Sequence, residues 1–156
     1  MWELTQFIAK DYCLSCQGCC RFPQQESIWQ PHLLEEEIAR IAPFSKKVEL
    51  VAGPGQGNYI CQFLNAKENK CKVYTIRPFE CRLYPFLINR RGRKVYLSVD
   101  LKCPFIKKAA ALQEYKDYAH YVSEFFNNQS ILSALKKNPQ LIQTYEEVLD
   151  IFELKL

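Results

Sequence analysis

Four cysteines fall within eight residues near the N-terminus, in the segment 13–20, which reads CLSCQGCC. The full set of cysteines is Cys13, Cys16, Cys19, Cys20, Cys61, Cys71, Cys81 and Cys103. A chain of 156 residues with 48% hydrophobic residues can bury a core without disulfide bonds. Its first residues lack the basic and apolar regions of a signal peptide, so we expect a reducing, cytoplasmic location. There, clustered cysteines typically bind metal or carry redox chemistry.

The spacing of the thiols indicates which metals suit them. Thiolates are soft ligands, and four of them in a tetrahedral array hold either Zn²⁺ or an iron–sulfur cluster. A C-x₂-C-x₂-C run supplies three ligands to a [4Fe–4S] cluster in bacterial ferredoxins, where the remote ligand precedes a proline. Cys103, which is followed by Pro104, fits that remote position. We expect all eight cysteines to bind metal, in an iron–sulfur cluster of the 4Fe-4S type, with zinc as the alternative.

The eight thiols can be divided between one or two centres in more than one way. One division places Cys13, Cys16, Cys19 and Cys103 at one centre, and Cys20, Cys61, Cys71 and Cys81 at another. The adjacent pair Cys19 and Cys20 favours it, because successive side chains tend to point apart. The other division, the first four cysteines against the last four, stays open. Two divalent centres with four thiolates each would cancel the formal net charge of +4.

Arginines lie beside two of the cysteines. Arg77 and Arg82 flank Cys81 in the segment RPFECRLYPF, residues 77–86, and Arg21 follows Cys20. Guanidinium groups in these positions can neutralise a metal–thiolate centre or tune it through hydrogen bonds. The alternative is that they form ordinary surface ion pairs with carboxylates such as Glu80.

The residue pattern predicts one α+β domain over 1–156. Its metal-binding part, about 11–105, is an irregular cysteine-rich region with small antiparallel β-hairpins, and its C-terminal part, about 106–156, is helical. We expect the first cysteine segment to be a loop. The predicted strands are 47–52, and the hairpins 59–64 with 71–76 and 85–89 with 94–100. The predicted helices are 31–42, 106–127, 130–137 and a last helix from Pro139 with Leu141, Ile142, Tyr145, Val148, Leu149 and Phe152 inward.

The sequence gives few signs of a membrane or nucleic-acid partner. No apolar run approaches the length of a membrane span. The basic turn around Arg90–Lys94 favours a solvated hairpin tip over nucleic-acid contact, so we expect no nucleic-acid partner. The C-terminal helices offer a surface to a protein partner that the sequence does not identify. His32 and His120 are expected in surface or packing roles, and no acid–base constellation indicates whether the protein is an enzyme.

Two motifs resemble the YkgJ-type cysteine-cluster proteins. They are C-x-x-C-x-x-C-C followed by Arg21, and C-x-x-Y-x-x-R-P-x-x-C-R-x-Y-P-F beginning at Cys71. The resemblance runs from about Cys13 to Cys103 and implies a zinc- or iron-chelating CxxCxxCC domain. A related cluster in flagellin lysine-N-methylases implies a component of a protein lysine-N-methylation system. This chain is much shorter than those enzymes and lacks the C-x₃-C-x₂-C run of radical S-adenosylmethionine enzymes. A structural zinc module for protein or nucleic-acid interaction is the other alternative.

Overall fold

Two units divide the chain. The first is formed by residues 8–82, and the second by residues 2–7 together with 83–156. The computed structural model describes residues 2–16 and 18–156. Each unit has its own sheet and its own buried core.

The elements follow one another along the chain in a mixed order. The helices are α1 Lys10–Ser15, α2 Glu35–Ile41, α3 Phe79–Leu83, α4 Pro104–Ala109, α5 Gln113–Asn127 and α6 Gln129–Lys137. The strands are β1 Arg21–Phe22, β2 Leu50–Ala52, β3 Tyr59–Cys61, β4 Leu64–Asn65, β5 Lys70–Cys71, β6 Phe86–Arg91, β7 Lys94–Asp100, β8 Ile142–Gln143 and β9 Val148–Leu154. Short 3₁₀ turns cover Tyr74–Ile76 and Pro139–Leu141. The predicted α+β class, with small antiparallel sheets and C-terminal helices, is confirmed.

The first unit is built from short elements around a small core. Its sheet has the strand order β1-β3-β2, and β4 pairs with β5 in a separate two-stranded hairpin. Helix α2 begins with three acidic residues and has Arg40 in its last turn, which suits the helix dipole at both ends. The buried apolar residues that pack together here are Leu33, Ile41, Ala42 and Val48.

The second unit carries the larger core. Its four-stranded sheet has the order β8-β6-β7-β9, with long antiparallel ladders between β6 and β7 and between β7 and β9. Gly92, at φ 59°, supplies the left-handed conformation needed by the tight β6–β7 turn. Phe7 lies edge-on to Phe86 and stacks on Tyr118, so residues 2–7 help to close this core. One face of α5 is buried at helical spacing.

The last predicted helix is wrong. Residues after Pro139 form a 3₁₀ turn and then β8 and β9, and β9 lies antiparallel to β7. Glu147, at φ 58°, has a left-handed backbone that no helix could continue through. Leu149 was expected to face inward, yet it is 51% exposed. A pattern spaced like a helix was overridden by a partner strand distant in sequence.

Four other elements differ from the expectation. The 106–127 helix is interrupted between α4 and α5, and the helix expected over 31–42 begins only at Glu35. The first cysteine segment is not all loop, because α1 includes Cys13. The turn of the 59–64 and 71–76 hairpin is present, but strand β3 pairs with β1 and β2 instead. Across the described residues, no helix is both long enough and apolar enough to cross a membrane.

Candidate metal centre

The first cysteines are held by α1 and the turn that follows it. Cys13 lies in the last turn of α1, and its backbone N–H donates to the carbonyl of Ala9 at 3.0 Å. Cys16 caps the same helix. The side-chain amide of Asn69 donates to the carbonyls of Leu14 at 2.9 Å and of Cys16 at 3.1 Å. The tip of the β4–β5 hairpin therefore fixes the backbone of the first cysteine segment.

Strand pairing positions three further cysteines, Cys20, Cys61 and Cys71. The N–H of Cys61 donates to the carbonyl of Cys20 at 3.0 Å, just where β1 begins to pair with β3. Cys61 ends β3 and lies opposite Leu50, and Cys71 ends β5 opposite Leu64. Three cysteines distant in sequence are thus brought to the ends of neighbouring short strands.

Cys81 is presented by α3, whose first turn is held by a buried carboxyl group. Glu37 is 2% exposed, and its oxygens accept from the N–H of Phe79 at 2.8 Å and of Leu34 at 3.0 Å. It therefore caps α2 and α3 together. The Nη2 of Arg82, which is partly buried, lies 3.8 Å from the Glu37 oxygen that accepts from Phe79 and forms an ion pair with it.

The neighbour of Cys81, Glu80, is also committed within the unit. It accepts from the backbone N–H of His32 at 2.6 Å, and its carboxyl oxygen lies 3.5 Å from the Nδ1 of that residue. Burial raises the pKa of Glu80, which the contact with His32 opposes. Of the two alternatives for the flanking arginines, a surface ion pair with Glu80 is not among the ion pairs of the described residues, and Arg82 pairs with Glu37.

Four thiols influence one another in every pairwise combination: Cys20, Cys61, Cys71 and Cys81. Burial raises the pKa of Cys61 to about 12, and the charges of Cys20 and Cys71 add to the rise. Burial also raises the pKa of Cys71, together with the charge of Cys20. The pKa of Cys81 is well above its usual range, through burial and then through the charges of the other three. We call these four residues the thiol tetrad.

The remaining thiols of the first unit adjoin the tetrad. The pKa of Cys19 is raised, first by its hydrogen-bond interaction with the Cys20 thiol, and the same interaction lowers the pKa of Cys20. Burial raises the pKa of Cys13, and the charges of Cys20, Cys16 and Cys71 act in the same direction. Seven of the eight cysteines therefore lie in one unit and interact electrostatically.

Cys103 lies in the second unit. It precedes α4, is 2% exposed, and its N–H donates to the carbonyl of Asp100 at 3.3 Å. Burial raises the pKa of its thiol, and the nearby N–H groups of Ile106 and Phe105 act in the opposite direction. The division that groups Cys103 with Cys13, Cys16 and Cys19 stays a prediction.

Three arginines adjoin the thiols, and each has one buried nitrogen without a hydrogen-bond partner in the described chain. These nitrogens are Nη1 of Arg21, Nε of Arg77 and Nε of Arg82. The charges of Arg21 and Arg77 lower the pKa of Cys20. Arg21 and Arg77 are thus near enough for their charges to act on the Cys20 thiol, and Arg82 pairs with Glu37.

The ligand set itself stays a prediction. Within residues 2–16 and 18–156, no three cysteine, histidine, aspartate or glutamate side chains converge in the arrangement of metal ligands. The sequence missed two supporting residues. Glu37 lies within the predicted helix 31–42 and Asn69 between the predicted strands 59–64 and 71–76, and the sequence singles out neither of them. The signal for Asn69 was its place in a tight turn, where asparagine adopts the left-handed backbone seen here, with φ 51°.

Comparison with known proteins agrees with this reading of the thiols. The family model CxxCxxCC, described as a "putative zinc- or iron-chelating domain", matches residues 12–125. A protein of Methanocaldococcus jannaschii, named as uncharacterized protein MJ0661, is 30% identical over 104 residues, which are 58% of this chain and 52% of that protein. The chain spans about half the length of this relative. No solved structure matches.

Proposed function

The chain belongs to the CxxCxxCC family of metal-chelating domains, and from that premise we propose that it binds an iron–sulfur cluster and serves a redox or cluster-dependent role. Metal binding follows from the family; the identity of the metal and the role are the proposal. The cluster would be of the [4Fe–4S] type, at one or two centres.

One observation carries the proposal, namely the thiol tetrad. Each member interacts with the other three, and the four arrive on separate elements: the start of β1, the ends of β3 and β5, and α3. A set of four cysteines without histidine or carboxylate is the donor set of an iron–sulfur cluster or of a structural zinc ion. The same four cysteines form one of the two centres in the division predicted from the sequence, the one that separates Cys19 from Cys20.

The spacing of the first cysteines favours iron–sulfur over zinc. The C-x₂-C-x₂-C run places Cys13, Cys16 and Cys19 within seven residues, a spacing typical of cluster ligands. Zinc sites more often draw pairs of cysteines from separate knuckles.

The chain's own residues would hold and tune such a group. The tetrad thiols, deprotonated on binding, would ligate it, and the adjoining guanidinium groups would offset the negative charge of the thiolates. A bound cluster would supply one-electron chemistry. Glu37 and Asn69 would keep α3 and the first cysteine segment in place around it.

The experiment is to purify the full chain without oxygen and measure iron, zinc, acid-labile sulfide and the visible spectrum. We expect a brown protein with iron and sulfide in comparable amounts. Cys71→Ala should lose cluster, whereas Lys72→Ala, an exposed neighbour on the same segment, should retain it. A colourless wild-type protein that holds zinc without sulfide would refute the cluster and leave the structural zinc module.

A further inference from the structure

Arg77 is an unusual cation for a small unit. It is only 8% exposed, although arginine is rarely buried without a partner. Its guanidinium lies 3.8 Å from the centre of the Tyr74 ring, and its Nη1 donates to the carbonyl of Tyr74 at 2.7 Å. These contacts fix the plane of the guanidinium group and leave little rotational freedom to lose when it acts on a ligand.

The same side chain is incompletely satisfied. Its Nε has no hydrogen-bond partner in the described chain, and no acidic side chain among residues 2–16 and 18–156 forms an ion pair with it. Arg82, by comparison, pairs with Glu37. A buried positive charge without a counter-ion costs free energy, and so does a buried N–H without an acceptor.

Three thiols lie close enough to Arg77 to be affected by its charge. The charge of Arg77 acts on Cys13, Cys20 and Cys71, opposing the effect of burial at Cys13 and Cys71. A neutral thiol carries no charge and is a weak hydrogen-bond acceptor for Arg77. A metal-bound thiolate offers both a negative charge and a stronger acceptor. The missing counter-ion is therefore one that metal binding would create.

We propose that Arg77 is a positioning residue of the metal centre, whose buried guanidinium supplies the counter-charge and an N–H donor for the metal-bound thiolates of Cys13, Cys20 and Cys71. This rests on metal binding by those thiols but not on the choice of iron–sulfur over zinc. Tyr74 is the platform that holds the guanidinium, and the ammonium group of Lys10, at the start of α1, lies 5.7 Å from the same ring.

The test is an anaerobic titration of the metal-free full chain with Co²⁺, in competition with a chelator. The thiolate-to-cobalt charge-transfer band reports both the affinity and the number of thiolates bound. We expect Arg77→Gln to lower the affinity about 10- to 100-fold, the range typical of groups that support metal ligands. The band at saturation should keep its intensity, because no ligand is removed. Arg77→Lys should recover part of the loss, and Arg40→Gln, which removes an exposed arginine of the same unit, should match the wild type.

Two further variants keep the proposal testable if Arg77→Gln does not fold. Tyr74→Leu removes the platform and should lower the affinity, whereas Tyr74→Phe keeps the ring and should not. The proposal is overturned if Arg77→Gln binds Co²⁺ as the wild type does, or if Arg77→Lys is as weak as Arg77→Gln. A wild type that binds no Co²⁺ through thiolates would overturn metal binding by these thiols as well. A wild type that binds Co²⁺ yet purifies with zinc alone would refute only the iron–sulfur proposal.

Discussion

Replacing Glu37 by alanine should destabilise the cysteine-bearing unit by about 2–6 kcal/mol. The carboxyl group is 2% exposed and accepts hydrogen bonds from two backbone N–H groups, those of Leu34 and Phe79. Each N–H left buried without an acceptor costs about 1–3 kcal/mol. Arg82 would also lose its ion-pair partner. Glu37→Gln keeps one oxygen and loses the other, so its cost should be about half, roughly 1–3 kcal/mol.

The assay is urea unfolding of metal-free protein, followed by tryptophan fluorescence. The chain has two tryptophans, and Trp29 belongs to the same unit as Glu37. A Trp2→Phe background therefore makes the signal specific for that unit. Glu36→Ala is the matched control, because Glu36 lies in the same helical turn but is exposed. It should change the free energy of unfolding by less than about 1 kcal/mol.

The reasoning would be refuted if Glu37→Ala and Glu36→Ala had equal effects. It would also be refuted if Glu37→Ala were destabilised but held metal as tightly as the wild type. Glu37 caps the helix that carries Cys81, so loss of the cap should loosen that ligand as well as the fold.

Three further predictions concern single groups. Asn69→Gly should weaken metal retention, measured by chelator competition, because it removes two hydrogen bonds to the first cysteine segment. Asn69→Ala should in addition lower the free energy of unfolding in urea, because alanine disfavours the φ of 51°. In metal-free protein at pH 8, iodoacetamide should modify Cys20 before Cys61, since the pKa of Cys20 is lowered and that of Cys61 is about 12, as peptide mass spectrometry would show. Burial raises the pKa of Asp150, but hydrogen bonds, led by the one from Ser98, lower that pKa overall. Ionised Asp150 therefore stabilises the fold above pH 3.8, the ordinary pKa, and this stabilisation is lost as pH falls through the lower pKa of the folded state. Asp150→Asn should flatten that acid dependence in thermal unfolding; an unchanged slope would contradict the assignment.

The sequence was most informative where the signal is local. The β6–β7 hairpin was predicted from two alternating strands around Gly92, and helix α6 was placed within one residue of its observed start. The family was indicated by the resemblance of two short motifs, the CxxCxxCC run before Arg21 and the segment that begins at Cys71, and the family match agrees. In each case the residues that decide the structure are near neighbours along the chain.

Long-range contacts explain what could not be predicted. Strand β9 was read as a helix because its apolar residues repeat at helical spacing. Its ladder with β7, and the contacts of Asp150 with Asn89, Ser98 and Arg91, are visible only once the chain is folded. The same holds at the metal centre. Nothing local marks Glu37 as the cap of a helix that begins 42 residues later in the sequence, at Phe79.

The elements of the first unit are short, and we expect bound metal to add to its stability. The longest helix or strand lying wholly within its described residues is α2, with seven residues, and strands β1, β4 and β5 have two residues each. Pairs this short are marginal in water without further support, and the apolar cluster of Leu33, Ile41, Ala42 and Val48 is small. Metal–thiolate bonds would join these short elements and add to the stability that the small core provides. Because burial raises the pKa of the thiols of Cys61, Cys71 and Cys81, metal binding must release their protons, so metal uptake by this unit should strengthen as pH rises.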